Sequence, residues 1–336
     1  MGGDRAPREV VRGAVEAARH HPDLRCLLVG QQVAVRKELD AVSWTGSNIE
    51  IVPADHVIGM GDSPVEALRK KKGSSIEVAT RLVKTGEAVA MVSAGNTGAC
   101  VAAGTILLGL LPEVRRAGIA VTFHAGDRPV VVMDVGASVS SKPEHLIQYG
   151  IMASLYARAA LDVSNPRVGL LNIGGEGQKG NPLSKATHSL FLKTQLNFHG
   201  NVEGVEIFRS VCDVVVCEGF VGNIVLKVAE GLAERMVDLL KQALGESFGG
   251  EKPDDGSFEK VLSRLRQRVD YSEFGGAPLL GVKGVMIIAH GRSEAKAIAN
   301  AIGVAKRLAE KNVNKRITEE IRAVSRFDHS PLSTGN

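Results

Sequence analysis

Aromatic side chains are scarce in this sequence: one Trp, three Tyr and nine Phe, 4% of 336 residues. A core without them must come from Val, Ile, Leu and Ala, and 44% hydrophobic residues are enough to build one. Cysteine is scarce as well. Cys26, Cys100, Cys212 and Cys217 form no C-x-x-C pair, so a zinc ribbon, a dithiol redox site and a disulfide scaffold are not indicated. They read as buried apolar thiols of a reducing compartment. No apolar run approaches the ~20 residues that span a bilayer. Thr105–Leu111 and Gly118–Phe123 are among the longest, and no signal peptide is visible. Charge of one sign is lacking too. Forty-one Lys and Arg against 37 Asp and Glu leave +4, too little to argue for nucleic acid, and no zinc-finger or RNP-type motif occurs. There is no G-x-x-x-x-G-K-[ST], which excludes a P-loop.

Glycine is plentiful, with 38 residues. The length allows two domains or one large α/β unit, and a chain of this size buries a sizeable core without disulfides. Short Val/Ile/Leu runs alternate with helical patterns. Strands are expected at Leu24–Gly30, Ile49–Ala54, Ala88–Ala94, Gly118–Phe123, Pro129–Val135, Arg167–Ile173, Gly204–Phe208, Asp213–Cys217 and Gly284–His290. Ser63-Pro64-Val65-Glu66 and Asn181-Pro182 are helix starts, with a capping residue ahead of a first-turn proline. The alternation implies a mostly parallel sheet with helices on both faces. One stretch breaks it. Gly222–Leu244 and Ser257–Val269 read as two helices joined by a Gly- and Asp-rich linker, Gly245–Gly256. The expectation is one α/β unit over 1–327, a helical hairpin inserted at about 223–270, and a disordered tail at 328–336.

In open parallel sheets ligands collect where strands end and helices begin. Four such loops are rich in Gly, Asn and Ser: Ser93–Gly98, Asp134–Ser138, Asn172–Asn181 and Glu218–Asn223. Free N–H groups and the positive helix end favour an anion there, although glycine also serves the turn alone. The third loop contains Gly175-Glu176-Gly177-Gln178-Lys179-Gly180, which satisfies G-x-G-x-x-G and raises a nicotinamide dehydrogenase as an alternative. Against it, Pro182 starts the helix after the last glycine, so the glycines fall too early in the turn. Lys179 stands just before the Asn181-Pro182 helix start, where a cation and free N–H groups can hold one phosphate. It also reads as a solvated loop lysine. Asn223 either caps the long helix or donates its amide to a substrate oxygen.

Several segments together resemble the PlsX family, the bacterial phosphate acyltransferases of phospholipid synthesis. They are Met1-Gly2-Gly3-Asp4 with Ala6-Pro7, Ser93–Ala99, Lys142–Leu146, Asn172–Asn181, Gly219–Asn223 and Phe274–Val282, in order over residues 1 to about 305. The resemblance implies transfer of a fatty acyl group from acyl carrier protein to inorganic phosphate. The product is acyl phosphate, the donor for a membrane glycerol-3-phosphate acyltransferase. It implies a homodimer, a fold akin to isocitrate and isopropylmalate dehydrogenases and to phosphotransacetylases, and no metal or nucleotide cofactor. Carried over by position, Lys179 and Asn223 are the catalytic residues. Gly95, Asn96, Thr97, Gly98, Gly180, Asn181 and Gly222 line the phosphate and substrate site. The sequence departs from the family in three places. A short strand usually precedes the Met-Gly-Gly-Asp segment and is absent here. Ser138 and Ser140 stand where Asn and an acidic residue are expected, and Glu218 replaces the usual Asp.

The chemistry suits these residues. Phosphate near pH 7 is largely a dianion, so attack on a thioester needs orientation and oxyanion donors rather than a side-chain nucleophile. His145 and His290 are conceivable acids. An acidic carrier protein calls for a basic face, with Arg69–Lys72, Arg115-Arg116 and the Arg264/Arg266/Arg268 row as candidates. Near the hairpin tip, Leu240, Leu244 and Phe248 lie beside lysines, which suits shallow binding to an anionic leaflet. The expected location is the cytoplasm, peripherally associated with the inner face of the membrane. Packing against a second hairpin in the dimer fits the same residues. The alternatives are a phosphotransacetylase-like enzyme using acyl-CoA and a non-catalytic carrier-protein scaffold.

Overall fold

The computed structural model describes residues 1–247 and 274–327. The expected helix at Ser257–Val269, the Gly245–Gly256 linker beyond Ser247, the Arg264/Arg266/Arg268 row and the tail after Phe327 lie outside them.

Among the described residues ten strands form two sheets. β1 (Cys26–Gly30) and β2 (Ile49–Pro53) pair in parallel as a two-stranded sheet. The other eight are β3 (Ala90–Ser93), β4 (Gly118–Ala125), β5 (Arg128–Met133), β6 (Val168–Leu171), β7 (Phe198–Val202), β8 (Val214–Val216), β9 (Ala277–Leu280) and β10 (Val285–Ile288). Their order across the sheet is β3-β10-β9-β4-β5-β8-β6-β7. β3–β10 and the run β5-β8-β6-β7 are parallel. β9 and β4 form an antiparallel centre.

Alternation along the strands sorts side chains to two cores. Val214 and Val216 join the face covered by α6 (Pro143–Ala160), α7 (Pro182–Phe191), α9 (Ala295–Glu310) and α10 (Val313–Phe327). Val215 and Cys217 face the layer containing α4 (Ser75–Thr85) and α5 (Thr97–Ala103). The few large aromatics are concentrated here: Tyr149, Tyr156 and Phe191 are among the largest fully buried side chains. A smaller cluster joins α1 (Arg8–His20), α2 (Gln32–Ala41) and the β1–β2 pair. α3 (Pro64–Lys70) begins on Pro64 as expected, without a side-chain cap from Ser63.

Two sequence expectations are corrected. Gly204–Phe208 is not a strand but part of a 3-10 helix, Gly204–Arg209. Its start is fixed by Glu206, whose carboxylate accepts the Glu203 N–H at 2.8 Å. The strand at that edge is β7, a few residues earlier. β9 was also unforeseen. The long helix, α8, runs Gly219–Ser247, longer at both ends than the expected 222–244.

Candidate active site

β5, β8 and β6 are adjacent and parallel, so the loops leaving their carboxyl ends emerge side by side. These are three of the four glycine-rich loops.

The loop after β5 is organised by Asp134. Its buried carboxylate accepts the N–H groups of Ile119 (3.0 Å), Gly136 (3.1 Å), Ala137 (2.9 Å) and Ser138 (3.0 Å), and the Ser138 hydroxyl at 3.0 Å. Burial raises its pKa, and these bonds oppose the rise. Tyr149 lies 3.4 Å from the Ser138 hydroxyl, and its phenol is pushed up to about 12 by burial and then by the Asp134 charge. The N–H groups that this loop would offer an external anion are therefore occupied by an internal one. Gly136 has φ +128, a conformation that L side chains rarely adopt.

The loop after β8 runs straight into α8. A Cβ at Gly219 would collide with the Ser138 carbonyl, and one at Gly222 with the Asp134 carbonyl. These two glycines let the first turn of α8 close against the Asp134 loop. Asn223 follows, exposed, with its side-chain oxygen 3.3 Å from where a Cβ on Gly136 would lie.

The loop after β6 folds on itself. Asn172 donates its side-chain N–H to the Lys179 carbonyl at 3.0 Å, and Lys179 donates its N–H to Glu176 at 3.0 Å. Gly180 sits at φ +94, pressed against Asn172 and Ser184. Asn181 caps α7, its side-chain oxygen accepting the Ser184 N–H at 2.8 Å, which is the helix-start role. Lys179 is exposed, and its ammonium has no hydrogen-bond or ion-pair partner among the described residues. Val139, Ile173 and Phe220, one from each loop, are exposed at 83%, 82% and 58%. The three loops thus carry a cation, an amide and an apolar lip.

The fourth loop is elsewhere. β3 stands five places from β8 in the sheet, roughly 24 Å at ordinary strand spacing. Asn96 is buried and fully engaged. Its oxygen accepts the Ala99 N–H at 2.9 Å, and its NH₂ reaches the carbonyls of Gly59, Met60 and Asp62 at 3.1, 3.1 and 3.3 Å. Gly95 donates to the Ser93 hydroxyl at 3.2 Å, and a Cβ on Gly98 would meet Pro64 at 2.5 Å. Thr97 is exposed. α8 connects the two regions. From Gly219 to Glu234 it covers about 22 Å, and Glu234 pairs with Arg292, just past β10, at 2.6 Å.

His145 is engaged: its Nδ1 accepts the Lys142 N–H at 3.1 Å, and burial, then Arg116, hold its pKa below the ordinary value. His290 Nδ1 accepts the Arg292 N–H at 3.2 Å. In the basic row, Lys70 pairs with Glu66 and Lys71 with Asp62. Arg116 donates to the Ser140 carbonyl at 2.9 Å, beside the Asp134 loop. Leu240 is half-buried on α8; the side chain of Leu244, and Phe248, lie outside the described residues. No helix among the described residues is long and apolar enough to cross a membrane. No cluster of metal-ligating side chains occurs among them.

Two features went unread in the sequence: the organising role of Asp134 and the Glu234–Arg292 bridge. For Asp134 there was a signal, an acidic residue ending a strand two positions before a glycine, a pattern in which a carboxylate accepts from the next turn's N–H groups.

Known proteins resemble this chain in sequence and in fold. A family model described as "Fatty acid synthesis protein" matches residues 1–316. The phosphate acyltransferase of Halothermothrix orenii is 46% identical over 323 residues, 96% of each chain. That of Desulforamulus reducens is 47% identical over 324 residues, 96% of this chain and 95% of its own. Among solved structures, a phosphotransacetylase from Streptococcus pyogenes superposes with TM-score 0.60 at 16% identity, covering 91% of this chain and 92% of that one. The last likeness speaks for the fold alone.

Proposed function

The chain belongs to the fatty acid synthesis protein family that includes the phosphate acyltransferases, and from that premise we propose how its strand-end loops act. It is an acyltransferase that moves an acyl group to phosphate in fatty acid and phospholipid synthesis. The observation that carries the site assignment is the unpartnered, exposed Lys179 on the β6 loop, together with exposed apolar residues, Val139, Ile173 and Phe220, on or next to the three loops.

In our reading Lys179 binds the phosphate dianion at the mouth of the β6 loop, with Gly180 keeping the backbone close. Asn223 donates its amide to the phosphate or to the oxyanion that forms on the acyl carbonyl. A phosphate oxygen attacks the thioester carbon, the new C–O bond forms, the C–S bond breaks and the thiolate leaves with the electron pair. The apolar lip receives the acyl chain. Gly222 serves indirectly, by allowing α8 to place Asn223. Gly95, Asn96, Thr97 and Gly98 form the opposite wall, with Asn96 holding the 59–62 loop and Thr97 open to substrate.

The donor is acyl carrier protein, an acidic partner. Arg115, Arg116 and Lys142 supply a basic face beside the Asp134 loop, and their charge is what lowers the His145 pKa after burial. The protein acts as a homodimer through the exposed apolar stripe of α8: Ile224, Val228, Leu232, Met236 and Leu239. It meets the inner leaflet peripherally near Leu240, Leu244 and Phe248 and passes acyl phosphate to the membrane glycerol-3-phosphate acyltransferase.

The test is phosphate-dependent release of carrier-protein thiol, with acyl phosphate trapped by hydroxylamine. Lys179→Ala should lose at least ~10² in kcat/KM with an unchanged melting temperature. A folded Lys179→Ala with near-normal turnover would overturn the assignment, and equal use of acyl-CoA would favour the phosphotransacetylase-like alternative.

A further inference from the structure

Asn201 lies on β7, beside β6, and is only 6% exposed. A buried amide needs a partner at each end. Its NH₂ donates to the Glu176 backbone carbonyl at 2.8 Å, and its oxygen stands 3.1 Å from Nδ1 of His188 on α7. The Glu176 carbonyl can only accept, so the NH₂ has to face it and the amide cannot be turned round. The amide oxygen can only accept as well. Nδ1 of His188 therefore carries a proton and donates it. The ring is braced from the core. Phe198 meets it edge-on, with centroids 5.3 Å apart at 72°, and the fully buried Phe191 stacks on Phe198 at 4.8 Å.

The same Glu176 carbonyl takes the Lys179 N–H at 3.0 Å. Two donors fill its two lone pairs, so one oxygen ties the lysine turn to Asn201. The Lys179 carbonyl is held in turn by Asn172 at 3.0 Å. Gly177, inside the turn, lies against the imidazole: a Cβ there would come within 3.0 Å of Nε2. The stem of Lys179 is seated too, since a Cβ on Gly174 would stand 3.1 Å from its Cγ and 3.5 Å from its Cδ. The ammonium is exposed at the end of a flexible stem, but the root of that stem is fixed. A flexible cation holds an anion in one place only when its root does not move.

We propose that Asn201 is a positioning residue for the reaction: through the Glu176 carbonyl it fixes the root of Lys179, and the Nδ1–H of His188 fixes Asn201. The inference rests on the reading of Lys179 as the cation that binds phosphate.

The test measures KM for phosphate and for the acyl donor separately, and phosphate affinity from the phosphate-dependent rise in melting temperature. Asn201→Ala should weaken phosphate at least ~10-fold in both measurements, with KM for the acyl donor held within about twofold. A general loosening of the fold would weaken both substrates alike. Added to Lys179→Ala, Asn201→Ala should change kcat/KM for phosphate by less than about twofold, because the group it positions is gone. His188→Phe fills the space of the ring without the donor and should weaken phosphate as Asn201→Ala does. His188→Asn, whose NH₂ takes the place of Nδ1–H, should restore most of the loss. If Asn201→Ala does not fold, the His188 pair carries the test alone. Equal phosphate affinity in His188→Phe and His188→Asn overturns the proposal. So does unchanged affinity in Asn201→Ala, or a full ~10-fold further loss on top of Lys179→Ala. If Lys179→Ala loses phosphate and Asn201→Ala does not, the positioning role alone falls. If Lys179→Ala keeps its phosphate affinity, the reading of Lys179 falls and this inference with it.

Discussion

Asp134 is an anion fixed by its own loop. Four backbone N–H groups and one hydroxyl converge on it, and Tyr149 stands behind Ser138. Replacing it with Ala strands those donors in a partly buried place. Urea unfolding of Asp134→Ala should show a loss on the order of 3 kcal/mol, whereas Ser138→Ala, which removes one donor, should cost about 1 kcal/mol. Equal losses would mean that the carboxylate does not organise the loop. Asn223 should feel the first change, since it packs over Gly136 and α8 begins against the Asp134 carbonyl. At this scale the sequence was informative about residue type and less so about partners. Lys179 and Asn223 stand out in the sequence because cations and amides at helix starts suit phosphate, and the fold leaves both exposed. Asn96 and Asn181 share that signature, yet one locks the 59–62 loop and the other caps α7. Capping uses the amide oxygen and anion binding the amide NH₂ of the same residue type, and only the fold decides which is called on.

Among the described elements, α8 carries a long row of exposed apolar side chains. Val228, Leu232 and Met236 are exposed at 62%, 59% and 52%, one turn apart along one face. A stripe with this spacing packs against another helix. Leu232→Glu with Met236→Glu should therefore convert the proposed dimer to a monomer in light scattering; a variant that stays dimeric would place the interface elsewhere. The strands were legible wherever both faces are buried, as in β5 and β8, because two-sided burial leaves a continuous Val/Ile run. β7 carries His199, Gly200 and Asn201 and shows no such run. Gly204–Phe208 shows an alternating pattern, but the Glu203/Glu206 cap turns it into a 3-10 helix. β9 is four buried residues followed within a few positions by β10, and a run that short carries too little periodicity to read.

For the molecule as a whole, a bound anion should register as stability. Phosphate at a hundred times its dissociation constant adds about 2.7 kcal/mol, a rise of several degrees in melting temperature for a chain of this size. Lys179→Ala should flatten that rise, while phosphate-free buffer should leave both proteins equal. A phosphate response that survives the substitution would move the site to other loops. The strand order explains why the loops near residues 93–98 and 172–181, so alike in composition, are far apart. Nothing in their local sequence says that β9 and β10 come between.

That interposition has a consequence for how the protein is made. β3 and β4 are complete by residue 125, but the strands that join them, β9 and β10, span residues 277–288. A nascent chain shorter than that holds β4 to β8 as one open-edged sheet and β3 as a detached strand. The edge of β4 then presents unpaired backbone until β9 is made, the kind of edge that recruits other chains. Closing the sheet is thus among the last events of translation. A ribosome stalled between β8 and β9 leaves a protein whose candidate catalytic loops are present but whose sheet is still in two pieces.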